Sequence, residues 1–349
     1  MKRIGGEKDL SGRISRVSLF IGIFFLISNL AASSTQSAGS EIPDLGDNAS
    51  LRGKQIFPAN NPWNQRIDAA PVAPNSAAVI SRFASAGLHA DFGANWNGGP
   101  FGIPYRVVAG TQPKVAIGPI SYSDESDPGP YPIPADAPIE GGAQSTGDRH
   151  VLVLDRDNWI LYELYNAYPN GDGSWRADSA AKFDLSSNAL RPEGWTSADA
   201  AGLPILPGLV RYDEVYEQQA INHAIRFTLQ TTQKAYVHPA THYASSQTDA
   251  SYAPMGARFR LKASFDISSY PASAQVILRA MKTHGLILAD NGSNMYISGA
   301  PDSRWNDDEL NTLKNIAASN FEMVQLGYAS EPSSSDIQAP AAPAGIRIR

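Results

Sequence analysis

His150, Trp159 and Glu163 fall within a single stretch, HVLVLDRDNWILYELYNAY, which places an imidazole, an indole and a carboxylate close together in the chain. A carboxyl group beside aromatic surface loses hydration and keeps its proton to higher pH, and the same surface stacks on sugar rings. Glycoside hydrolysis asks for such a group together with a second carboxylate across the scissile bond. Glu163 is the leading acid, because period-two alternation sets it between Trp159 and Tyr165 on one strand face. Asp155, Asp184, Asp213, Glu214 and Asp290 are all available as partners, and residue type alone does not choose among them. The site expected on these grounds has Glu163, His150 and Asp213 as catalytic groups. Trp159, Trp195, Asp199, His223 and Arg226 are the expected substrate contacts.

Other chemistries are weaker. A lyase would use His150 or His223 as base, with Arg226, Arg258 and Arg260 neutralising a uronate. The face Arg258, Arg260, Lys262 is otherwise an ordinary solvated strand face. AQSTG at 143–147 distantly resembles a nucleophile elbow but precedes a strand instead of following one. NGDG at 170–173 is too short for an EF-hand loop. His150, His223 and His242 head or flank strands, yet no histidine spacing matches a metal motif, and Pro239 separates His238 from His242 on any helix. No metal and no cofactor are expected. The plain alternatives are a hydrogen-bonded core histidine at His223 and a solvent-facing or arginine-paired strand residue at Glu163.

These residues need a scaffold that holds them. The stretch from His150 to Tyr168 reads as a β-hairpin turning within Asp155–Asn158. A turn at Arg156–Asp157 sets His150 opposite Glu163, and one at Asp157–Asn158 makes them diagonal. Either register keeps His150, Leu152 and Leu154 on one face with Trp159, Leu161 and Glu163, whereas an odd-length loop separates the two sets. Further strands are expected at 102–108, 114–117, 175–185, 223–229, 235–237, 255–267, 286–290, 294–298 and 321–326. Within 175–185, Trp175, Ala177, Ser179, Ala181 and Phe183 form the inward set. Helices are expected at 75–87, with Asn75 as cap and Gly87 as stop, at 271–284 ahead of Gly285, and from 306 to about 317 behind the capping box NDDE. The irregular run 186–209 is long enough to form a site wall. The fold class is therefore mainly β, of β-sandwich or jelly-roll type with antiparallel sheets, and with a few peripheral α-helices chiefly near the C-terminus.

Composition narrows the setting. The 349 residues are 42% hydrophobic, enough for a sizeable core, and 29 glycines and 25 prolines suit a turn-rich β protein. The formal net charge is −6, and without residues 1–32, which carry five basic and two acidic side chains, it falls to −9. That balance lacks the basic footprint of a nucleic-acid binder. With no cysteine, disulfides, thiolate metal sites and cysteine nucleophiles are excluded. Residues 1–32 follow the basic, apolar and small-residue order of a secretory signal peptide, with an uncleaved membrane anchor as the alternative. Residues 33–54 read as a linker, 55–328 as one β-rich domain and 329–349 as a disordered tail.

The segments FPANNPWNQRI, HVLVLDRDNWILYELYNAY, GWTSADAAGLPILPGLVRYDE and SGAPDSRWNDDEL together resemble a family of secreted bacterial proteins, over roughly residues 55–325. The resemblance implies export and a single domain, and brings no activity, cofactor or catalytic residue. The expectation is a secreted or cell-envelope enzyme acting on polysaccharide, most plausibly a glycoside hydrolase with a Glu/Asp pair. A non-catalytic extracellular protein that binds glycan or serves a structural role is the competing expectation. Nucleic acid is not a partner on this reading, and the membrane is one only through an uncleaved anchor.

Overall fold

Period-two alternation and the Asp155–Asn158 turn produce the hairpin expected from the sequence, in a computed structural model that describes residues 42–327. Val151–Asp155 and Ile160–Tyr165 pair antiparallel, with Val151 opposite Leu164 and Asp155 opposite Ile160. The register is the one centred on Asp157–Asn158. Its turn is closed by the Asp155 carboxylate, which accepts from the backbone N–H of Asp157 and of Asn158 at 3.1 and 3.0 Å. An aspartate that caps its own turn in this way fixes the loop length, and with it the register.

The hairpin is the centre of a five-stranded sheet, ordered Gly46–Asp47, Tyr105–Val108, Val151–Asp155, Ile160–Tyr165 and Ser179–Asp184. A six-stranded sheet runs Phe321–Met323, Arg258–Leu261, Leu286–Asn291, Ile225–Leu229, Tyr296–Ser298 and His89–Asp91. Both sheets are mixed. Tyr105–Val108 runs parallel to Val151–Asp155, as Ile225–Leu229 does to Leu286–Asn291, and Tyr296–Ser298 to His89–Asp91. The mainly β class with peripheral helices thus holds, while the expected purely antiparallel arrangement does not.

The hairpin is buried on both faces, which explains why its strands are so apolar. Leu152, Leu154 and Leu161 join the main core with the six-stranded sheet. Val151, Val153, Tyr162 and Leu164 join a second core with Tyr131, Ile133 and Trp175. The 175–185 segment is divided between these cores. Trp175–Ala177 pairs into a three-stranded sheet, whereas Ser179–Asp184 continues in the five-stranded one, so Trp175 and Phe183 end in different cores. A break at Asp178 shifts the parity that simple alternation assumed.

The segment from 186 to 209 is divided: 186–196 lie mostly at the surface, whereas 197–209 run inward as an interior layer. Ala201, Leu203, Ile205, Leu206 and Leu209 are all buried in the main core. Fully burying such a side chain contributes roughly 1.5–3 kcal/mol, which offsets the cost of drawing irregular backbone inside. Residues 42–54, expected as linker, are also part of the body: Gly46–Asp47 is an edge strand and Leu51 lies in the core. The signal-peptide region, residues 33–41 and the C-terminal tail lie outside the described residues.

Helix Ala272–Thr283 packs along Arg258–Leu261 and ends at Gly285, whose φ of 75° supplies the expected left-handed stop. Asn306 caps Asp307–Asn311 through the Glu309 N–H, but the helix then tightens to a 3-10 turn at Thr312–Asn315. The first helix is short, Ser76–Ser81, and Asn75 makes no capping bond. Gly87 is needed for a different reason than expected: a Cβ there would lie 2.5 Å from the Lys314 carbonyl oxygen. Among the described residues no helix is long and apolar enough to cross a membrane.

Candidate active site

Arg149 begins the construction of the site. Its φ of 52° turns the chain at the head of the hairpin strand. Its buried guanidinium donates to the carbonyls of Ala167, Ala143 and Ser145 at 2.9–3.0 Å and stacks on Tyr168. That fastens the glycine-rich loop 141–147 to the hairpin and sets Asp148 and His150 on either side of the anchor. Glu140, at the loop's other end, donates its backbone N–H to the His150 carbonyl and accepts from His150 Nδ1 at 2.6 Å. His150 Nε2 is held by the Ala198 carbonyl at 3.0 Å. A carbonyl only accepts, so Nε2 carries a proton, and a proton on Nδ1 makes the Glu140 contact an ion pair. Burial disfavours the imidazolium, but the charge and hydrogen bond of Glu140 outweigh it and push His150 up to about 9. The same pairing, against the burial that favours a neutral acid, holds Glu140 below its ordinary range.

The six-stranded sheet supplies the other half. Arg226 is bidentate to Asp199, at 2.8 and 2.6 Å, and also donates to Ser298 Oγ at 2.7 Å and to Asp290 at 3.2 Å. Asp199 is fully buried. Burial first, and then the charge of Asp199, raise Asp290 well above the usual carboxylate range, so it keeps its proton near neutrality. Ser298 is paired with Asp91 on the edge strand. Asp91 opens to a cavity of about 960 Å³, which Glu140, Trp96 and Phe101 also line. Loss of water in the cleft, followed by repulsion from Glu140, raises the pKa of Asp91. Two carboxyls in one cleft are thus pushed in opposite directions. The rim acids are neutralised separately, Asp47 by Arg106 and Asp302 by Arg304.

His150, Asp199 and Arg226 are brought together behind the cleft, with Glu163 within range of their charges. None of the four lines a cavity described here, and Trp159, Trp195, Asp213 and His223 lie elsewhere. Glu163 shares the face of His150, but it is completely buried and lines none of the cavities described. Its carboxylate accepts from the backbone N–H of Ile205 and of Leu206 at about 3 Å, which pins the interior layer. Burial, only partly offset by those donors, raises it to about 7. Trp159 sits at the hairpin turn with φ 55°, its ring covered by Lys54 Nζ at 3.7 Å. Trp195 lies against Arg191. Asp213 accepts from Ser50 at 2.6 Å, and His223 faces Glu214 at 3.1 Å, both around a separate cavity of about 320 Å³.

Asp91, Glu140, Asp148 and Ser298 were not singled out by sequence reasoning. Only the position of Asp148-Arg149-His150 directly behind a glycine-rich loop gave a hint. Among the described residues, Glu140, Asp148 and His150 bring polar side-chain atoms within 4.8 Å of one another, but with both its nitrogens protonated His150 has no lone pair for a cation. The three histidines at 150, 223 and 242 do not converge: His242 bonds the Ala200 carbonyl. Asp172 is engaged with Ser174 in a turn. The chain matches no known family model, and neither a curated protein nor a solved structure matches it.

Proposed function

We propose that this protein is an exported carbohydrate-active hydrolase that cleaves glycosidic bonds with Asp91 as general acid and Glu140 as its ionised partner. The observation that supports this reading is the opposed perturbation of two carboxyl groups lining one cavity, the pattern that assigns acid and base roles. In the reaction, Asp91 gives its proton to the departing sugar oxygen as the bond from that oxygen to the anomeric carbon breaks. Water supplies hydroxide to that carbon, and its second proton passes to the Glu140 carboxylate. His150 holds Glu140 in place and ionised. Trp96, 67% exposed at the lip, offers a ring face for stacking. A protein that only bound glycan would have no use for the two perturbed acids.

The test is release of reducing ends from plant and cell-wall polysaccharides by wild-type protein, Asp91→Asn and Glu163→Gln. Activity on at least one polymer is expected, with Asp91→Asn slowed about 1,000-fold at an unchanged melting temperature. Equal rates for Glu163→Gln and wild type remove Glu163 from catalysis. No release from any polymer, or wild-type rates for Asp91→Asn, rejects the proposal.

A further inference from the structure

A second cavity, of about 500 Å³, adjoins the first and shares Asp91, Trp96 and Phe101 with it. Both volumes fall within the roughly 300–1,000 Å³ typical of ligand sites. Resting on the hydrolase reading, we propose that one glycan chain occupies both cavities and passes over Asp91, so that the enzyme cuts within polymers instead of trimming their ends.

The walls differ in a way that suits one chain held at two points. The first cavity has a carboxylate floor, where the bond is broken. The second is walled by His89 and Tyr296, which face each other on neighbouring strands and stack 4.1 Å apart at 16°. Stacked face to face, each ring covers one face of the other and holds it in place, and an outer ring face of such a pair is a surface on which the C–H face of a pyranose can pack. Asn95, Asn311 and Lys314 stand around it and supply donors for hydroxyl groups. His89 and Asp91 lie two residues apart on one strand face, hence about 7 Å along the strand, so the stacking wall is about one sugar unit from the acid.

Trp96 stands where the two cavities meet. It ends the strand Gly93–Trp96, which pairs with Gly99–Phe101. The base of this small hairpin is clamped, because Asp307 accepts from the N–H of Ala94 and of Asn95 at 2.7 and 3.0 Å. The indole is therefore presented to solvent on an anchored support, with the Phe101 ring beside it at 6.3 Å. A large apolar group held out in this manner costs hydration free energy, and a sugar ring laid on it recovers that cost.

Calorimetric binding to stalled Asp91→Asn protein tests the proposal. The probes are the disaccharides and hexasaccharides of β-1,4-linked glucose, xylose and N-acetylglucosamine, with hydrolysis of the same probes by the otherwise wild-type protein followed by product length. A hexasaccharide is expected to bind at least tenfold tighter than its disaccharide. Adding Trp96→Ala or Tyr296→Ala should remove that advantage, Tyr296→Phe should retain it, and His223→Gln, outside the groove, should bind like the parent. Early products longer than disaccharides are expected. Failure of every hexasaccharide to bind, or an undiminished advantage in both Trp96→Ala and Tyr296→Ala, overturns the two-cavity groove. Hexasaccharide binding weakened by those variants without hydrolysis by the Asp91-bearing protein leaves the groove and removes the hydrolase. Hydrolysis confined to chain ends, indifferent to both variants, does the reverse.

Discussion

Two charged clusters in this protein are built from the same residue types and differ in charge balance. In one, Arg211 and His223 both face Glu214, with Asp213 held by Ser50 and Gln218. In the other, Arg226 and His150 stand among Asp199, Asp290, Glu140, Asp148 and Asp91. The first pairs two basic groups with two acids, and it borders the smaller cavity. The second sets five carboxyls against two basic groups beside the largest cleft described. Desolvation first, and like charge second, shift Asp91 and Asp290 upward, while Glu214, flanked by Arg211 and His223, is held down against its burial. A matched cluster ties elements together. An unmatched one is strained electrostatically, and such strain is what acid–base chemistry uses.

The sharpest way to break this comparison is to neutralise one group in each cluster. On the proposed function, Asp91→Asn should lower glycan hydrolysis about 1,000-fold, which is about 4 kcal/mol of transition-state stabilisation, while His223→Gln stays within about twofold on kcat/KM. Comparable losses in both would show that the distinction is wrong. Arginine removal comes next. Arg226→Met removes the bidentate partner of the buried Asp199 and should cost about 3–5 kcal/mol in urea denaturation. Arg211→Met should cost less, because His223 still faces Glu214.

Stability against pH sharpens the same point. His150 has a folded pKa of about 9 against an ordinary 6.5, so its stabilisation is complete below 6.5 and is lost as pH climbs through 9. The shift corresponds to on the order of 3 kcal/mol. Asp290 and Glu163, raised, also favour the folded state less as pH rises above the normal carboxylate range. Glu140 and Glu214, lowered, contribute above that range, and their contribution is lost as pH falls below it. Melting temperature should therefore peak on the mildly acidic side, between about pH 5 and 6.5. His150→Gln should remove most of the alkaline loss, and an unchanged alkaline slope in that variant would count against the His150–Glu140 pair. The smallest effect is expected at Glu163→Ala, which strands the N–H groups of Ile205 and Leu206 at about 2 kcal/mol, measured as a lower urea midpoint.

Much of the architecture was legible from local patterns. The hairpin, the helix that stops at Gly285 and the Asn306 cap all depend on residues within a few positions of one another, and each formed. The errors came from residues whose partners are remote. Gly87 reads as a helix stop, but its small size serves a close approach to Lys314. Asp178 breaks a strand into two sheets, a parity shift invisible in the alternation itself. Glu163 has the neighbours of a catalytic acid, yet the donors it meets come from Ile205 and Leu206, more than 40 residues away.

By itself the sequence determined the lack of disulfides, the β-rich class, the hairpin face shared by His150 and Glu163, and the polar residue types from which a site had to be drawn. Only the tertiary structure decided which carboxyls reach a cleft. Asp91 and Glu140 sit 49 residues apart, on an edge strand and a loop end, and meet only because the folded chain sets both on one cavity within range of each other's charge. The physical reason is that a pKa depends on burial and on charges within a few ångströms, and those distances are set by packing between elements, not by spacing along the chain.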